Sequence, residues 1–340
     1  MKVAHILQTL DKISKGRCAT SVADFSDKEN NFVVTKSSNI PGKAVTEIPG
    51  LVYGDLNMKV KKVAIAMTLT ECSIELAGQN NVDVIIAHHP IADGSSCGGV
   101  LLKNYLDLYN IAVFELHEAF HGLHPGIPWI HGHKVVWSDI NYDNIHGNVV
   151  YVGETLENVN TLQDILIRIN TLMGTYKESC FESYILHMLR EYKNCKSIYD
   201  TSISVQGEIL VGNKDSKVNK LIHVFPHTGF TTKHLEQLVK DFPDVDTLLV
   251  SISRVYDGNP LIDKAKELGL NLICGNSHTM EIYENGIPLA RAIKDYLPEL
   301  EVVIFREIVT SIPLDCVSTN AMRKYGKQMA NKYLREDSYN

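Results

Sequence analysis

The sequence predicts an α/β protein of two related lobes, each built on a mostly parallel sheet, with strand ends facing a common cleft. Two observations lead there. Short runs rich in Val and Ile alternate with amphipathic stretches from Lys62 to Leu116 and again from Lys220 onward, the pattern of strands joined by crossover helices. The two stretches also echo each other: DVIIAHHP in the first answers DTLLVSIS in the second, and NIAVFELHEAF answers NLICGNSHTME. Each half thus offers a strand, a helix and a strand that ends in a turn bearing His and Glu.

Taken in order, Val3, Ile6, Leu7, Leu10 and Ile13 form one face of a first helix, with Gly16 as its stop. Residues 16 to 50 are poor in periodicity and read as an irregular connection with one short strand at Asn31 to Thr35. Val63 to Met67 is a strand, and Thr70 caps a helix from Glu71 to Gln79. Val82 to Ala87 is the next strand, Gly99 to Tyr109 a helix, and Ile111 to Leu116 a third strand. The middle of the chain holds a strand at Val149 to Val152, a helix after Asn160, a second helix near Glu182 to Tyr192 and a strand ending at Val211. The alternation then resumes with strands at Leu221 to Phe225, Asp246 to Ser251, Asn271 to Cys274 and Val302 to Phe305. Helices run to Asp241, from Pro260 to Leu268 and from Pro288 to Tyr296. A polar helix closes the chain over Cys316 to Glu336.

At 340 residues the chain is long enough for two sizeable cores. A net charge of -7 and the lack of a basic run argue against nucleic acid as a partner. No apolar stretch is long enough to span a bilayer, and the N-terminus lacks the apolar region of a signal peptide. Seven cysteines, an odd number without CxxC spacing, read as reduced thiols of a cytoplasmic protein.

The chemistry concentrates at DVIIAHHPI. Val84 to Ala87 is a continuous apolar run, as in a strand buried on both faces, and Pro90 stops the ladder. His88 and His89 therefore stand at a strand end, where α/β folds bind ligands. Neighbours on a strand point to opposite sides, so two adjacent imidazoles reach two ions more easily than one. Seven of the 14 histidines fall between His88 and His133, a density that points to metal. His278 and Glu281, three apart after a strand, form a half-site for a divalent ion, and a carboxylate can bridge two ions. HEAFH, His117 to His121, matches the HExxH pattern of zinc peptidases, which requires a helix. A strand precedes it, and Gly122 and Pro125 follow at once, so His117 and His121 read better as loop ligands with Glu118 beside them. His131 and His133 read as solvent-exposed.

Together these stretches resemble the Nif-three-like dinuclear metal-centre family, whose members are also called GTP cyclohydrolase I type two homologues. GLVYGDLNMKVKKVAIAMTLTE, DVIIAHHPI, NIAVFELHEAFHGL and LGLNLICGNSHTMEIYENG carry the resemblance in order and approximate spacing. It implies a two-metal site between two α/β lobes and a homohexameric ring. The implied plan is a first lobe of residues 1–135 with 275–315 carrying the ligands, a second of 136–274 with a helical insertion near 175–200, and a C-terminal helix at 316–340. His88 and His89 match the family's paired ligands, and Glu281 its C-terminal carboxylate. Three positions depart: His121 stands for the family's Asp, Ser277 with His278 for its final His, and Thr68 for an Asp in the first strand-end turn. The expected ligand set is His88, His89, His117, His121, His278 and Glu281, with Glu118 and His121 as proton carriers. A nitrogen-rich set favours one or two divalent transition-metal ions, zinc ahead of iron, nickel, cobalt or manganese. Metal-dependent hydrolysis of a small nucleotide-like or phosphoester substrate is the reading this supports. A non-catalytic metal-binding scaffold is the alternative, and an HExxH peptidase ranks behind both.

Overall fold

The computed structural model describes residues 1–20, 34–37, 44–47, 49–89, 91, 102–117, 126–145, 148–174, 196–197, 207–225, 229–252, 255, 258–276, 280–306, 310–311, 314 and 319–334. The chain divides into two compact units: Met1–Met173 with Ser204–Glu307, and Gly174–Ile203 with Ile308–Asn340. The predicted helix near Glu182 to Tyr192 lies outside the described residues.

The strands of the large unit are β1 (Val34–Ser37), β2 (Ala44–Glu47), β3 (Gly50–Tyr53), β4 (Lys62–Ala66), β5 (Val84–Ala87), β6 (Ala112–Glu115), β7 (His133–Asp139) and β8 (Val150–Thr155). After β9 (Lys196–Ser197) of the small unit come β10 (Glu208–Val211), β11 (Lys220–Val224), β12 (Thr247–Ile252), β13 (Asn271–Asn276) and β14 (Glu301–Ile304). One sheet has the order β14-β4-β5-β6-β3, the other β10-β13-β12-β11-β8-β7, and β1 and β2 form a hairpin pair. In the first sheet β14, β4, β5 and β6 are parallel and β3 is an antiparallel edge. In the second, β11, β12 and β13 are parallel, with antiparallel strands on both flanks. The α/β reading with two sheets therefore holds.

Helices α1 (Val3–Ile13), α2 (Glu71–Gln79) and α3 (Leu102–Tyr109) belong to the first sheet. Helices α4 (Gly126–Ile130), α5 (Leu162–Met173), α6 (Thr232–Asp241), α7 (Pro260–Glu267) and α8 (Ile287–Tyr296) follow. Helix starts are where local chemistry puts them. Thr70 Oγ1 accepts the Ser73 N–H at 3.1 Å, and Ser73 Oγ accepts the Thr70 N–H at 2.8 Å, a reciprocal cap at the head of α2. Asn259 caps α7 through the Leu261 N–H at 3.0 Å, with Pro260 at its first position.

The first sheet is covered on both faces, which explains its unbroken apolar strands. Val63, Ile65, Val84, Ile86 and Phe114 pack with Ile6 and Leu10 of α1 and Ile293 of α8. The alternate residues Ala64, Ala66, Ile85, Ala87 and Val113 pack with Ile74 of α2 and Leu106 of α3. The second sheet buries Val150, Val152, Ile222, Val224, Leu248, Val250 and Leu272 against Leu235 and Leu238 of α6 and Leu261 and Ala265 of α7. Its other face, where Tyr151 and Phe225 pack with Ile127 of α4, is partly polar.

In the small unit, β9 pairs antiparallel with β15 (Thr310–Ser311). Helix α9 (Asn320–Met329) is capped by Thr319 Oγ1, which accepts the Met322 N–H at 3.2 Å, and buries none of its residues.

Candidate metal centre

Three parallel strands end side by side and place the key groups. The ladder runs past the strands themselves: the His88 N–H donates to Ala66 O at 3.0 Å, the His89 N–H to Met67 O at 2.7 Å, and the Leu116 N–H to Ala87 O at 3.0 Å. His88 and His89 are thus held by backbone bonds at the carboxyl edge of the sheet, although they follow β5. Glu115, buried at the end of β6, accepts the Ile91 N–H at 3.1 Å and ties down the chain beyond them.

Glu281 arrives from far along the sequence, immediately before a π-helical turn over Ile282–Gly286 that leads into α8. Such a widened turn is rare and recurs at functional sites. The turn packs against β4 on one side and α4 on another. Glu281 is fully buried. Its Oε1 stands 3.2 Å from His88 Nε2 and its Oε2 stands 3.0 Å from His89 Nε2. The ligand atoms of His88, His89 and Glu281 lie within 4.8 Å of one another. Asn285 Nδ2 donates to Glu281 Oε1 at 3.4 Å.

Proton bookkeeping defines what this group can bind. His88 Nδ1 lies 3.2 Å from Leu116 O. A carbonyl oxygen only accepts, so Nδ1 carries the proton. Burial holds the His88 imidazole down to about 4, against the opposing pull of Glu281, so the ring is neutral at pH 7. Its Nε2 then presents a lone pair beside a carboxylate oxygen, an arrangement that a bound cation would satisfy. A backbone carbonyl that fixes the tautomer and frees the other nitrogen is the usual arrangement behind a metal-bound histidine. His89 Nδ1 lies 3.0 Å from Thr68 Oγ1. That hydroxyl can accept from Nδ1 and leave Nε2 for a metal. Two imidazole nitrogens and a carboxylate, two of the three residues buried, fit a divalent transition metal.

The His117 ring stands 4.8 Å from that of His88 and 6.0 Å from that of His89, on the same strand edge. Glu118, His121, Ser277 and His278 lie outside the described residues, and so does the HEAFH segment beyond His117.

Two histidines are not where composition alone would put them. His131 and His133 were expected in solvent, yet both are buried, at 0% and 1% exposure. His133 Nε2 lies 2.9 Å from His223 Nδ1, and the His131 and His223 rings are 4.8 Å apart. Two glycines make the room. A Cβ on Gly275 would sit 2.5 Å from His131 Nε2, and one on Gly153 only 2.0 Å from His133 Nδ1. Glu284 and Ser251 complete this polar face of the second sheet, both fully buried. His223, Ser251 and Glu284 were missed in the sequence. The available signal was a His within the apolar run KLIHV and glycines inside two strands.

The sequence model of the Duf34/NIF3 family (NGG1p interacting factor 3) matches residues 33–94, which span β4 and the His pair. Over that segment the chain resembles the Duf34/NIF3 family. Its fold is similar to that of reduced HcgD from Methanocaldococcus jannaschii, at 16% identity and TM-score 0.55, over 89% of this chain and 97% of that one. It is also similar to Staphylococcus aureus hypothetical protein SA1388, at 14% identity and TM-score 0.53, over 90% and 96% of the two chains. A Bacillus cereus protein related to NIF3 matches at 12% identity and TM-score 0.50, over 90% and 97%. No curated protein matches the sequence. Among the described residues no helix of this chain is long and apolar enough to cross a membrane.

Proposed function

We propose that this chain binds divalent transition-metal ions through His88, His89 and Glu281, with Glu281 shared between two ions, and that the ions serve hydrolysis of a small substrate. One observation carries the reading. The two oxygens of Glu281 face two different imidazoles, Oε1 toward His88 and Oε2 toward His89. That division would let Glu281 serve either of two ions beside the two rings. When bound, such ions polarise a carbonyl or phosphoryl oxygen and activate water for attack.

The chain's own residues set the rest. Leu116 O and Thr68 fix the rings of His88 and His89. Side-chain exposure is 1% for His88 and Glu281 but 15% for His89, so a substrate approaches over His89. His117 stands beside the group, and by adjacency in sequence Glu118 and His121 are the proposed proton carriers. Zinc leads the candidate metals, and a nucleotide-like or phosphoester compound is the proposed substrate class. A homohexameric ring in the cytoplasm is part of the same proposal, through the family resemblance.

The burial of His88 and Glu281 favours one competing reading, a purely structural ion. Elemental analysis of the purified chain beside His88→Ala and Glu281→Ala tests the proposal. About two ions per chain in the parent, reduced in both variants, is the expected result, followed by phosphoester or nucleotide turnover that chelation abolishes. A parent that takes up no metal after reloading overturns the reading. Metal that raises the melting temperature without turnover assigns the structural role instead.

A further inference from the structure

The polar cluster on the second sheet has a position that the metal reading alone does not use. Glu284 lies three residues after Glu281, inside the π-helical turn, and is fully buried. Its Oε1 accepts the Ser251 hydroxyl at 2.8 Å and stands 3.3 Å from His131 Nε2. His131 is itself anchored, because its Nδ1 donates to Ile127 O of α4 at 2.9 Å. The missing Cβ of Gly275 reserves the place of the His131 ring. From the same turn, Asn285 donates directly to Glu281 Oε1. The turn is therefore held by β12 at one carboxylate, with His131 packed beside it, while it presents the other to the ends of β4 and β5.

Two other readings of the cluster fail on its geometry. A serine nucleophile needs a histidine between the hydroxyl and the carboxylate. Here Ser251 and His131 both address the same oxygen of Glu284. Nor do His131, His223 and Glu284 converge as a second metal centre. Among the described residues, three ligand atoms come within 4.8 Å of one another at His88, His89 and Glu281.

We infer that Glu284 is a positioning residue: held by the Ser251 hydroxyl, with the anchored His131 ring packed beside it, it fixes the π-helical turn and so aims Glu281 at His88 and His89. The inference rests on the metal reading above. Partners that orient a metal ligand are worth about 10–100-fold in metal affinity when removed.

The test is titration of the metal-free full-length protein with Co²⁺, followed by its visible absorption, with thermal melts of each metal-free variant. The expected result for Glu284→Ala is an affinity about 10–100-fold weaker with the same number of ions per chain at saturation. Glu284→Gln keeps an acceptor for Ser251, and recovery of most of the affinity and of the parent spectrum is expected. Glu284→Ala that binds cobalt like the parent overturns the inference. So does Glu284→Gln that loses an ion, because Glu284 would then be a ligand. Should Glu284→Ala fail to fold, Ser251→Ala removes one hydrogen bond and is expected to weaken binding several-fold with an altered spectrum; unchanged binding there overturns the inference too. A parent that binds no cobalt overturns the metal reading itself, a result distinct from all of these.

Discussion

Replacing Glu281 by Gln should make the metal-free protein more stable and remove its response to metal. Without a cation, the carboxylate faces the His88 lone pair at 3.2 Å and His89 at 3.0 Å inside a buried site. A glutamine amide resolves both contacts in one orientation. Its N–H₂ donates to His88 Nε2, and its oxygen accepts from His89 Nε2 while the Thr68 hydroxyl donates to His89 Nδ1. The long 3.4 Å bond from Asn285 is lost. Relieving a buried, poorly matched carboxylate at the cost of one weak bond should gain about 1–2 kcal/mol. The parent gains instead from metal: a ligand at about 100 times its Kd adds roughly 2.7 kcal/mol. At roughly 2 °C per kcal/mol for a long chain, that is a rise in Tm of about 5 °C. The assay is a melt of both proteins in chelator and in excess Zn²⁺. Chelated Glu281→Gln should melt a few degrees above the chelated parent, and zinc should raise the parent alone. A Gln variant that is several degrees less stable without metal, or that zinc stabilises as much as the parent, would refute the proton bookkeeping.

Further outcomes follow from the same contacts. Acid should destabilise the metal-free fold. Burial lowers His88 to about 4 and His133 to about 3, so between pH 6.5 and those values the unfolded chain takes protons that the folded one does not. Stability is complete above pH 6.5 and falls by about 1.4 kcal/mol per pH unit for each histidine, or about 4 kcal/mol for the pair at pH 5, read by denaturant titration across pH. Gly153→Ala pushes a methyl group onto the buried His133 ring and breaks its contact with His223. A loss of about 3–5 kcal/mol in urea unfolding is expected. Thr68→Val removes the hydroxyl beside His89 Nδ1, and zinc affinity measured by calorimetry should drop about tenfold, with Thr68→Ser restoring it.

The sequence made the first sheet and half of the centre legible for physical reasons that can be named. VIIA reads as a doubly buried strand because both faces of β5 meet helices, and the His pair after it had to emerge at the strand end. Thr70 and Asn259 announced their helices because a cap is a local interaction. Glu281 was visible as a His-and-Glu turn after a strand, but its contact with residues 88 and 89 crosses nearly two hundred positions. That pairing came from a family resemblance and not from spacing. The second polar face was illegible because His131, His133, His223, Ser251 and Glu284 come from separate elements, none with a local signature. Histidine near Pro and Gly defaults to a surface reading. Only the absence of side chains at Gly153 and Gly275, which has meaning once β8 and β13 are in register, reveals a place built for imidazoles.

The widened turn between the two glutamates has a consequence for how such a protein tolerates change in length. On an α-helix, residues three apart share one side, and two carboxylates there would repel and answer to the same neighbours. In this chain Glu281 and Glu284 answer to different sheets. The turn thus behaves as a phase shifter in the helical repeat. Removing a single residue within Ile282–Gly286 would restore the ordinary repeat, swing everything on one side of the cut by about a quarter turn, and let no more than one glutamate keep its partner. The stretch should accept many exchanges of side chain and almost no change in count.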